Sequence, residues 1–338
     1  MGARYKSDQN RVLVQYESGT YGVSSGNGYW LGQVTDHSLT DSENLIESHF
    51  LGTSTRSYSD LANGPRDVEG TMTFNPQDMR LVFYTIGSVY SAGTSNKFQH
   101  TATQVNTNNW LNPFASGTGQ FNAPTSFTVE DLKVSPTSNR NSLRTVNGCI
   151  PNSAIVTAAQ GEKVQVELSY IGQNVVYSSG AGITTINTAV SGVTPYLWNN
   201  CTLTIAGSSI PTAKEVSVEI NNNLEGPHYI NGSRVIATPI VGNRDVTLNA
   251  TIDWESDMAQ VIYDALYKSN ATFNAVFDLN ADVASTGSKH TIFTFSGCKI
   301  TSMELPSTSE GVTESSIEIR PQNISAQEWG VGSSYTAW

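Results

Sequence analysis

Apolar and polar residues alternate with a period of two along several stretches of the chain. The clearest stretch is 214–221, in which Val216, Val218 and Ile220 are separated by Glu215, Ser217 and Glu219. Residues 162–171 and 245–254 alternate in the same way. This pattern is typical of antiparallel strands with one face buried and the other in water. The sequence therefore predicts a mainly β protein built of antiparallel sheets.

Two segments, 77–87 and 255–269, break this alternation. In the second segment, apolar residues recur at the spacing of a helix face, at Met258, Val261, Ile262, Ala265 and Leu266. Apolar positions at this spacing predict an amphipathic α-helix. The first segment predicts a weaker helix, since Pro76 precedes it and Gly87 closes it. We expect each helix to lie against one flank of a sheet.

The order of strand and helix occurs twice. Residues 64–74 read GPRDVEGTMTF and residues 242–252 read GNRDVTLNATI, which places five identical residues at a constant offset of 178. The helical segments follow at an offset of 179, where Tyr84 matches Tyr263. Further along, Gly148-Cys149 matches Gly297-Cys298. Self-similarity in the same order indicates a duplicated structural unit.

The duplication predicts two tandem antiparallel β-sandwich or barrel domains, each with one flanking short α-helix. We place the first domain at residues 1–180 and the second at residues 196–338. Residues 181–195 form a low-charge linker or a paired extension of one copy. From the helix to Gly-Cys there are 69 positions in the first copy and 39 in the second. The first copy therefore holds a 30-residue insertion, which we place near residues 91–125 because this stretch is rich in Asn, Thr, Ser and Gly.

Charge limits the possible partners. The chain has 29 acidic and 18 basic residues, a net charge of -11, and only 14% charged residues. Grooves that grip DNA need clustered Lys and Arg, so this balance argues against tight nucleic-acid binding. An acidic wall is compatible with DNA that passes without adhering. The sequence has no apolar run of roughly 20 residues, the length of a membrane span, and no signal-peptide core, so we expect no membrane partner and synthesis in a cytosol.

Residues that usually catalyse reactions or bind metals are scattered. The five histidines lack metal-ligand spacing, and the three cysteines form no Cys-x-x-Cys pair. We expect free, buried thiols, with a disulfide between two of them as the minor alternative. Asp278, Asn280 and Asp282 resemble part of a calcium loop, but the loop's Gly and distal Glu are missing. The sequence predicts no enzyme, no cofactor and no metal site.

One polar feature occurs in both copies, the turn Gly-x-Arg-Asp. It contributes Arg66 and Asp67 in the first copy and Arg244 and Asp245 in the second. One interpretation is a salt bridge between subunits at a ring contact. The other is a local brace for the turn that opens a strand. Both interpretations stay open at this point.

Aromatic residues lie where polar loops or chain ends are expected. Trp110 and Phe114 fall within the insertion, and Trp329, Tyr335 and Trp338 lie in the last ten residues. Aromatic residues are enriched in protein interfaces, so we predict that these five contact a neighbouring subunit. The alternatives are that the insertion folds back onto its own domain and that the C-terminal tail frays.

In element order the chain resembles the tail tube (major tail) proteins of long-tailed bacterial and archaeal viruses. The resemblance is carried by EVSVEINNNLE, then NGSR, then GNRDVTLNATIDWES and a helix, with a looser GPRDVEGTMTFNPQDM and its helix in the first copy. It implies β-sandwiches whose strands join those of neighbours into stacked rings, forming a hollow tube through which viral DNA passes. Members with two fused tube domains form trimeric rings with pseudo-sixfold symmetry, an arrangement that two copies would suit.

The resemblance further implies a structural protein of the virion tail, made in the host cytoplasm. It would assemble with itself and with other tail proteins such as tape-measure, terminator and baseplate components. Polar strand faces would line the lumen and keep DNA from adhering, with the candidates Glu167, Glu215, Ser217, Glu219 and Glu318. Two alternatives remain: another virion or surface structural protein, such as a decoration protein, and a carbohydrate-binding β module. Long hollow tubes in electron micrographs would favour the tube, and sugar binding by a monomer would favour the last alternative.

Overall fold

The computed structural model describes residues 10–17, 21–29, 31–48, 60–94, 97–104, 120–121, 126–134, 141–179, 186–187, 195–254, 259–280, 289–304 and 313–331. The first half comprises β1 (Arg11–Glu17), β2 (Ser24–Tyr29), β3 (Gly32–Ser48), β4 (Asp60–Pro76), α1 (Arg80–Ile86), β5 (Gly87–Thr94), β6 (Lys97–Gln104), β7 (Gln120–Phe121), β8 (Phe127–Lys133), β9 (Ser142–Ala159), β10 (Gln165–Gly172), β11 (Asn174–Ser178) and β12 (Ile186–Asn187). The second half comprises a 3-10 turn (Trp198–Asn200), β13 (Cys201–Ile205), β14 (Ser208–Ser209), β15 (Ala213–Asn221), β16 (Asp245–Asp253), a π-helix (Ala259–Tyr267), β17 (Phe273–Asn280), β18 (His290–Glu304), β19 (Glu314–Arg320) and β20 (Asn323–Val331). The prediction of a mainly β fold with antiparallel sheets is confirmed.

One antiparallel sheet, which we call the continuous sheet, runs through both halves. Its strand order is β3-β4-β10-β9-β15-β16-β19-β18. The first four strands come from the first half and the last four from the second. Both sets follow the same order, with β3 matching β15, β4 matching β16, β10 matching β19 and β9 matching β18. The halves join where β9 pairs with β15, with Val156 opposite Val218.

A second layer of strands covers one face of the continuous sheet. In the first half it has the order β2-β1-β8-β9-β11. In the second half the matching order is β14-β13-β17-β18-β20. The long strands β9 and β18 belong to both layers, since one part of each pairs in the second layer and the other part in the continuous sheet. They therefore form the corners of each sandwich.

The alternating pattern of the sequence decides which side of each strand is buried. Val218 and Ile220 of β15 and Val166 and Leu168 of β10 are all fully buried. The polar residues between them lie on the opposite face of the continuous sheet. Buried apolar side chains from both halves belong to a single hydrophobic core. The two halves are therefore packed together through one core, and the domain boundaries near residues 180 and 196 stay a prediction.

The two predicted helices differ in type. The first is α1, whose six residues from Leu81 to Ile86 are all buried. The second is a π-helix, and the N–H groups of Lys268 and Ala271, just after its end, donate to helix carbonyls five residues earlier. Within the predicted helix 255–269, residues 255–258 lie outside the described residues. Neither helix is long and apolar enough to cross a membrane, as far as the described residues extend.

Two strands of the first half, β5 and β6, overlap the predicted insertion near residues 91–125 and reach the second half. They follow α1 directly, and β6 pairs with β20 so that Ala102 lies opposite Ala326. The two strands thus extend the second layer of the other half, and the bounds of the insertion stay a prediction. In the predicted linker, β12 pairs in parallel with β2. Whether residues 181–195 form a linker or a paired extension stays a prediction.

Candidate assembly surfaces

The five predicted lumen residues lie on one face of the continuous sheet. Glu167 of β10 lies opposite Ile155 of β9, and Ile155 lies opposite Glu219 of β15. Ser217 of β15 lies opposite Asn249 of β16, and Asn249 lies opposite Glu318 of β19. Glu215 lies two residues from Ser217 and so shares its face. Paired residues of a sheet share a face, so the candidates Glu167, Glu215, Ser217, Glu219 and Glu318 form one surface, which we call the polar face. The structure brings these residues together but does not itself show a lumen.

The polar face is hollowed. A depression of about 390 Å³ is lined by residues that include Glu215, Ser217, Glu304 and Glu318. A second depression, of about 230 Å³, lies on the first half. The cations beside the first depression are paired: Lys214 Nζ lies 2.7 Å from Asp253 and 2.6 Å from Glu314. The surface in this region therefore presents more carboxylates than unpaired cations.

The continuous sheet has two open edges in the described part of the chain. β3 pairs only with β4 at one end, and at the other end the last part of β18 pairs only with β19. Leu39 of β3 and Met303 of β18 are half-buried. Their counterparts at the junction inside the chain, Val218 and Val156, are fully buried. Unpaired edges of this kind template further strand pairing.

Arg66 acts as a local brace. Its Nε donates to Asp41 Oδ1 at 2.7 Å and its Nη2 to Asp41 Oδ2 at 2.6 Å. Nη1 donates to Asn174 Oδ1 at 3.0 Å. The Arg66 guanidinium lowers the pKa of the Asp41 carboxyl, and a hydrogen bond from Tyr177 adds to the shift. These contacts tie β3, β4 and β11 together within one chain.

Arg244, the counterpart of Arg66, forms no such ion pair with the residues that the structure describes. The residue that matches Asp41 in register is Ile220. Arg244 Nε donates instead to Asn222 Oδ1 at 2.8 Å. Burial lowers the pKa of Arg244 to about 10. The repeated Arg therefore has a different environment in each half.

The two aspartates of the repeated turn also bond within the chain. Asp67 lies 2.8 Å from His228 Nε2 and accepts from Asn44 Nδ2 at 2.8 Å. Asp245 accepts from Asn223 Nδ2 at 3.0 Å. The contacts of this turn fit the local brace, and its role between subunits stays a prediction.

A loop of the second half packs against a hairpin of the first half. The loop is 222–244, and its Arg234 donates from Nε to the Gly64 carbonyl at 2.9 Å. Both segments expose apolar side chains, which we call the apolar end: Leu45 (48% exposed), Ile46 (55%), Leu61 (53%), Tyr229 (56%) and Ile230 (109%). Clustered exposed apolar residues typically mark a surface that another protein covers.

Of the predicted aromatic contacts, the structure describes one. Trp329 in β20 is half-buried, and its ring stacks on His290 with centroids 5.1 Å apart. Trp110, Phe114, Tyr335 and Trp338 lie outside the described residues. Contact of these five with a neighbouring subunit stays a prediction.

A buried ionic cluster at the junction of the halves was not found from the sequence. Glu328 of β20 is fully buried and lies 3.9 Å from Lys289 Nζ. It accepts hydrogen bonds from Tyr196 Oη at 3.0 Å and from Met79 N–H at 3.3 Å. Burial raises the pKa of Glu328 to about 7. The sequence of β20 indicates this burial, because Glu328 is the next position on the strand face that carries the buried Ile324 and Ala326.

The remaining candidate chemistry is sparse. The three cysteines are free; Cys149 and Cys298 are buried, whereas Cys201 is only half-buried. Burial raises the pKa of Cys201 to about 12, which disfavours the reactive thiolate. Among the described residues, no group of three or more His, Cys, Asp or Glu side chains is placed to hold a metal ion.

The family described as phage tail tube protein matches residues 8–289 of the chain. The matched region includes all the described strands of the first half and continues through β17 of the second. No curated protein matches the chain.

Proposed function

The chain belongs to the phage tail tube protein family, and from that premise we propose that three copies close into a ring by pairing β18 of each chain with β3 of the next. The observation that supports this most is the continuous sheet. Its last strand and its first strand are both open, and they match the two strands that join the halves inside the chain. A head-to-tail contact of this kind closes into a ring when its rotation closes.

The repeat also supports one register for the proposed contact between chains. Met303 of β18 matches Val156 of β9, because Met303 faces a residue of β19 and Val156 faces the corresponding residue of β10. Leu39 of β3 matches Val218 of β15, because Leu39 faces a residue of β4 and Val218 faces the corresponding residue of β16. Since Val156 faces Val218 within the chain, Met303 of one chain faces Leu39 of the next.

Ring closure would turn the polar face inward. The second layer covers the other face of the continuous sheet, so the polar face is the one left for a lumen. Its carboxylates and the net charge of -11 would repel the DNA backbone, so that DNA passes without adhering. Three chains supply six equivalent halves, which gives the ring its pseudo-sixfold symmetry.

Rings would stack through the apolar end. Its exposed side chains include Leu45, Ile46 and Ile230, and burying them against the next ring is favourable by roughly 25 cal/mol per Å² of apolar surface. The protein would act as a structural component of the virion tail and not as an enzyme. Its other partners would be tape-measure, terminator and baseplate proteins, with synthesis in the host cytoplasm.

The proposed register is tested with engineered cysteines. On the polar face, the pair next to Leu39 and Met303 is Thr40 opposite Ser302, and both residues are exposed. Thr40→Cys with Ser302→Cys should form disulfides between chains, giving dimer and trimer bands on non-reducing gels, with hollow tubes in electron micrographs. As the matched control, Thr40→Cys with Ser316→Cys places the second thiol in β19, which β18 separates from the next chain. A wild-type protein that stays monomeric or dimeric, or cross-links that are equal in both pairs, would contradict the ring.

A further inference from the structure

We propose that the π-helix of one chain docks on a ledge of the next chain, using Tyr263 and Tyr267, which we call the tyrosine face. The ledge consists of Leu39, Asp41 and Tyr177. This inference rests on the proposed ring and names a second contact of the same joint, apart from the strand pairing. The occupant of the ledge is a second copy of this chain.

The corresponding contact exists inside the chain, between α1 and the second half. Asn222 Nδ2 donates to the Thr85 carbonyl near the end of α1 at 3.0 Å. The ring of Phe83 meets the ring of Phe293 edge to face, with centroids 6.5 Å apart. Tyr84 is 2% exposed in this position. The helix of the first half is thus covered by the half that follows it.

The described residues contain no third half that would cover the helix of the second half. Tyr263 matches Tyr84 at the offset of 179, yet it is 37% exposed. Tyr267, one turn further, is 38% exposed, and the two rings lie 6.0 Å apart. Ile262 and Leu266, by contrast, are buried against the helix's own half. The tyrosine face therefore points away from the half to which the helix belongs.

The ledge residues are more exposed than their counterparts in the second half. In the second half, α1 packs on β15 and β20, whose residues Val218, Ile220 and Ala326 are fully buried. Their counterparts in the first half are Leu39 and Asp41, which are half-buried, and Tyr177, which is exposed. Tyr177 shares its side of β11 with the buried Val175, but its own side chain is 58% exposed.

The ledge is held in place before any partner binds. Tyr177 Oη donates to Asp41 Oδ2 at 2.9 Å. Asp41 is fixed in turn by the two-pronged ion pair with Arg66. A preorganised surface loses less side-chain entropy on binding. Arg66 is therefore a positioning residue for this contact.

Two observations identify the occupant as another copy. The π-helix packs on β18 in its half as α1 packs on β9 in the other, so pairing β18 with the β3 of a neighbour brings the tyrosine face over that neighbour's ledge. The contact is also continuous with the open edge formed by Leu39. Aromatic side chains such as these are the ones that anchor protein interfaces.

The joint between chains lacks one support that the joint inside the chain has. Within the chain, the hairpin of β5 and β6 follows α1 and pairs with β20. The second half has no such insertion, because only five residues, 268–272, separate the π-helix from β17. The joint between chains therefore depends more on the tyrosine face.

The test is the double variant Tyr263→Ser with Tyr267→Ser, compared with the control Trp198→Ser, which removes another exposed aromatic side chain (39% exposed) outside the proposed contacts. Both proteins should keep the melting temperature of the wild-type monomer, since the replaced side chains are exposed there. The double variant should need at least tenfold more protein to assemble. Equal assembly of the double variant and the wild type would overturn the docking.

Photo-cross-linking identifies the partner surface directly. With p-benzoylphenylalanine in place of Tyr263, irradiation of assembled protein should link it to the peptide of another chain that contains Tyr177. A cross-link to any other region would overturn the ledge. The ring itself is judged separately by the cysteine pair at residues 40 and 302. If that pair cross-links while the tyrosine variants assemble normally, the docking is wrong and the ring stands.

Discussion

Gly148 and Gly297 share the same left-handed backbone conformation at matching points of β9 and β18, with φ angles of +67° and +66°. Next to each glycine, the backbone N–H of a glutamine makes the same hydrogen bond. Gln173 donates to the Asn147 carbonyl at 2.9 Å, and Gln322 donates to the Ser296 carbonyl at 3.0 Å. The glycines stand where each long strand passes from the second layer into the continuous sheet. The duplication therefore extends to the backbone geometry of the corner.

Replacing these glycines with alanine should destabilise the fold, and more at Gly148. A left-handed conformation costs a non-glycine residue about 1–2 kcal/mol. At Gly148 the new Cβ would also lie 2.6 Å from Gln173 Cβ, whereas at Gly297 it would lie 2.6 Å from Gln322 Oε1, the end of a flexible side chain. Urea unfolding measures both. Gly207→Ala is the control, because its φ is +83° and nothing lies within 4 Å; a loss at Gly148→Ala no larger than this control would show that the contact does not matter.

Local pattern was sufficient to predict the strands and their faces. The alternation in 214–221 and 245–254 corresponds to β15 (Ala213–Asn221) and β16 (Asp245–Asp253). Alternation reflects burial on one side, which is a local property, so it also placed Glu215, Ser217 and Glu219 on one face. The repeat then predicted which strands of the two halves match.

Contacts between distant segments could not be predicted from the same pattern. Nothing in the sequence of β9 indicates that it pairs with β15, or that β6 leaves its own half to pair with β20. These pairings depend on edges that become available only when the halves fold. The contrast between Arg66 and Arg244 has the same origin, because identical turns meet Asp41 in one half and Ile220 in the other.

The buried pair Glu328 and Lys289 should show strong coupling in a double-mutant cycle. Both side chains are almost completely buried, and burial lowers the pKa of Lys289. Breaking a buried ion pair typically costs about 3–5 kcal/mol, while replacing both partners costs much less. Glu328→Gln and Lys289→Met should therefore each lower the free energy of unfolding by more than the double variant does. Additive losses in urea unfolding would mean that the two groups do not interact.

His100 should make the protein sensitive to acid. Burial lowers the pKa of His100 to about 3 from its ordinary 6.5, and the nearby Arg80 adds to the shift. Below 6.5 the unfolded chain binds a proton that the folded chain does not, so the stability contributed by neutral His100 is lost as pH falls towards 3. Glu328 acts in the opposite direction between about 4.5 and 7, because its raised pKa makes the folded chain hold the proton. The measurement is therefore the unfolding free energy of wild type minus that of His100→Gln, which should shrink from pH 7.5 to pH 4.5. A difference that does not change with pH would contradict a buried neutral imidazole.

Neutralising the polar face should make assembled tubes retain DNA. Glu215→Gln with Glu219→Gln removes two negative charges per chain from the proposed lumen, and the ring repeats this change in every copy. Glu162→Gln with Glu225→Gln is the matched control, since it changes the net charge equally at exposed positions outside the continuous sheet. Short duplex DNA should remain with the first variant severalfold more than with the control or the wild type at low salt. Raising the salt should remove the difference, because charges separated by more than about 8–10 Å are screened at 0.10–0.15 M salt and over still shorter distances above it. Equal retention by both variants would place these carboxylates away from the path of the DNA, even in a protein that still forms tubes.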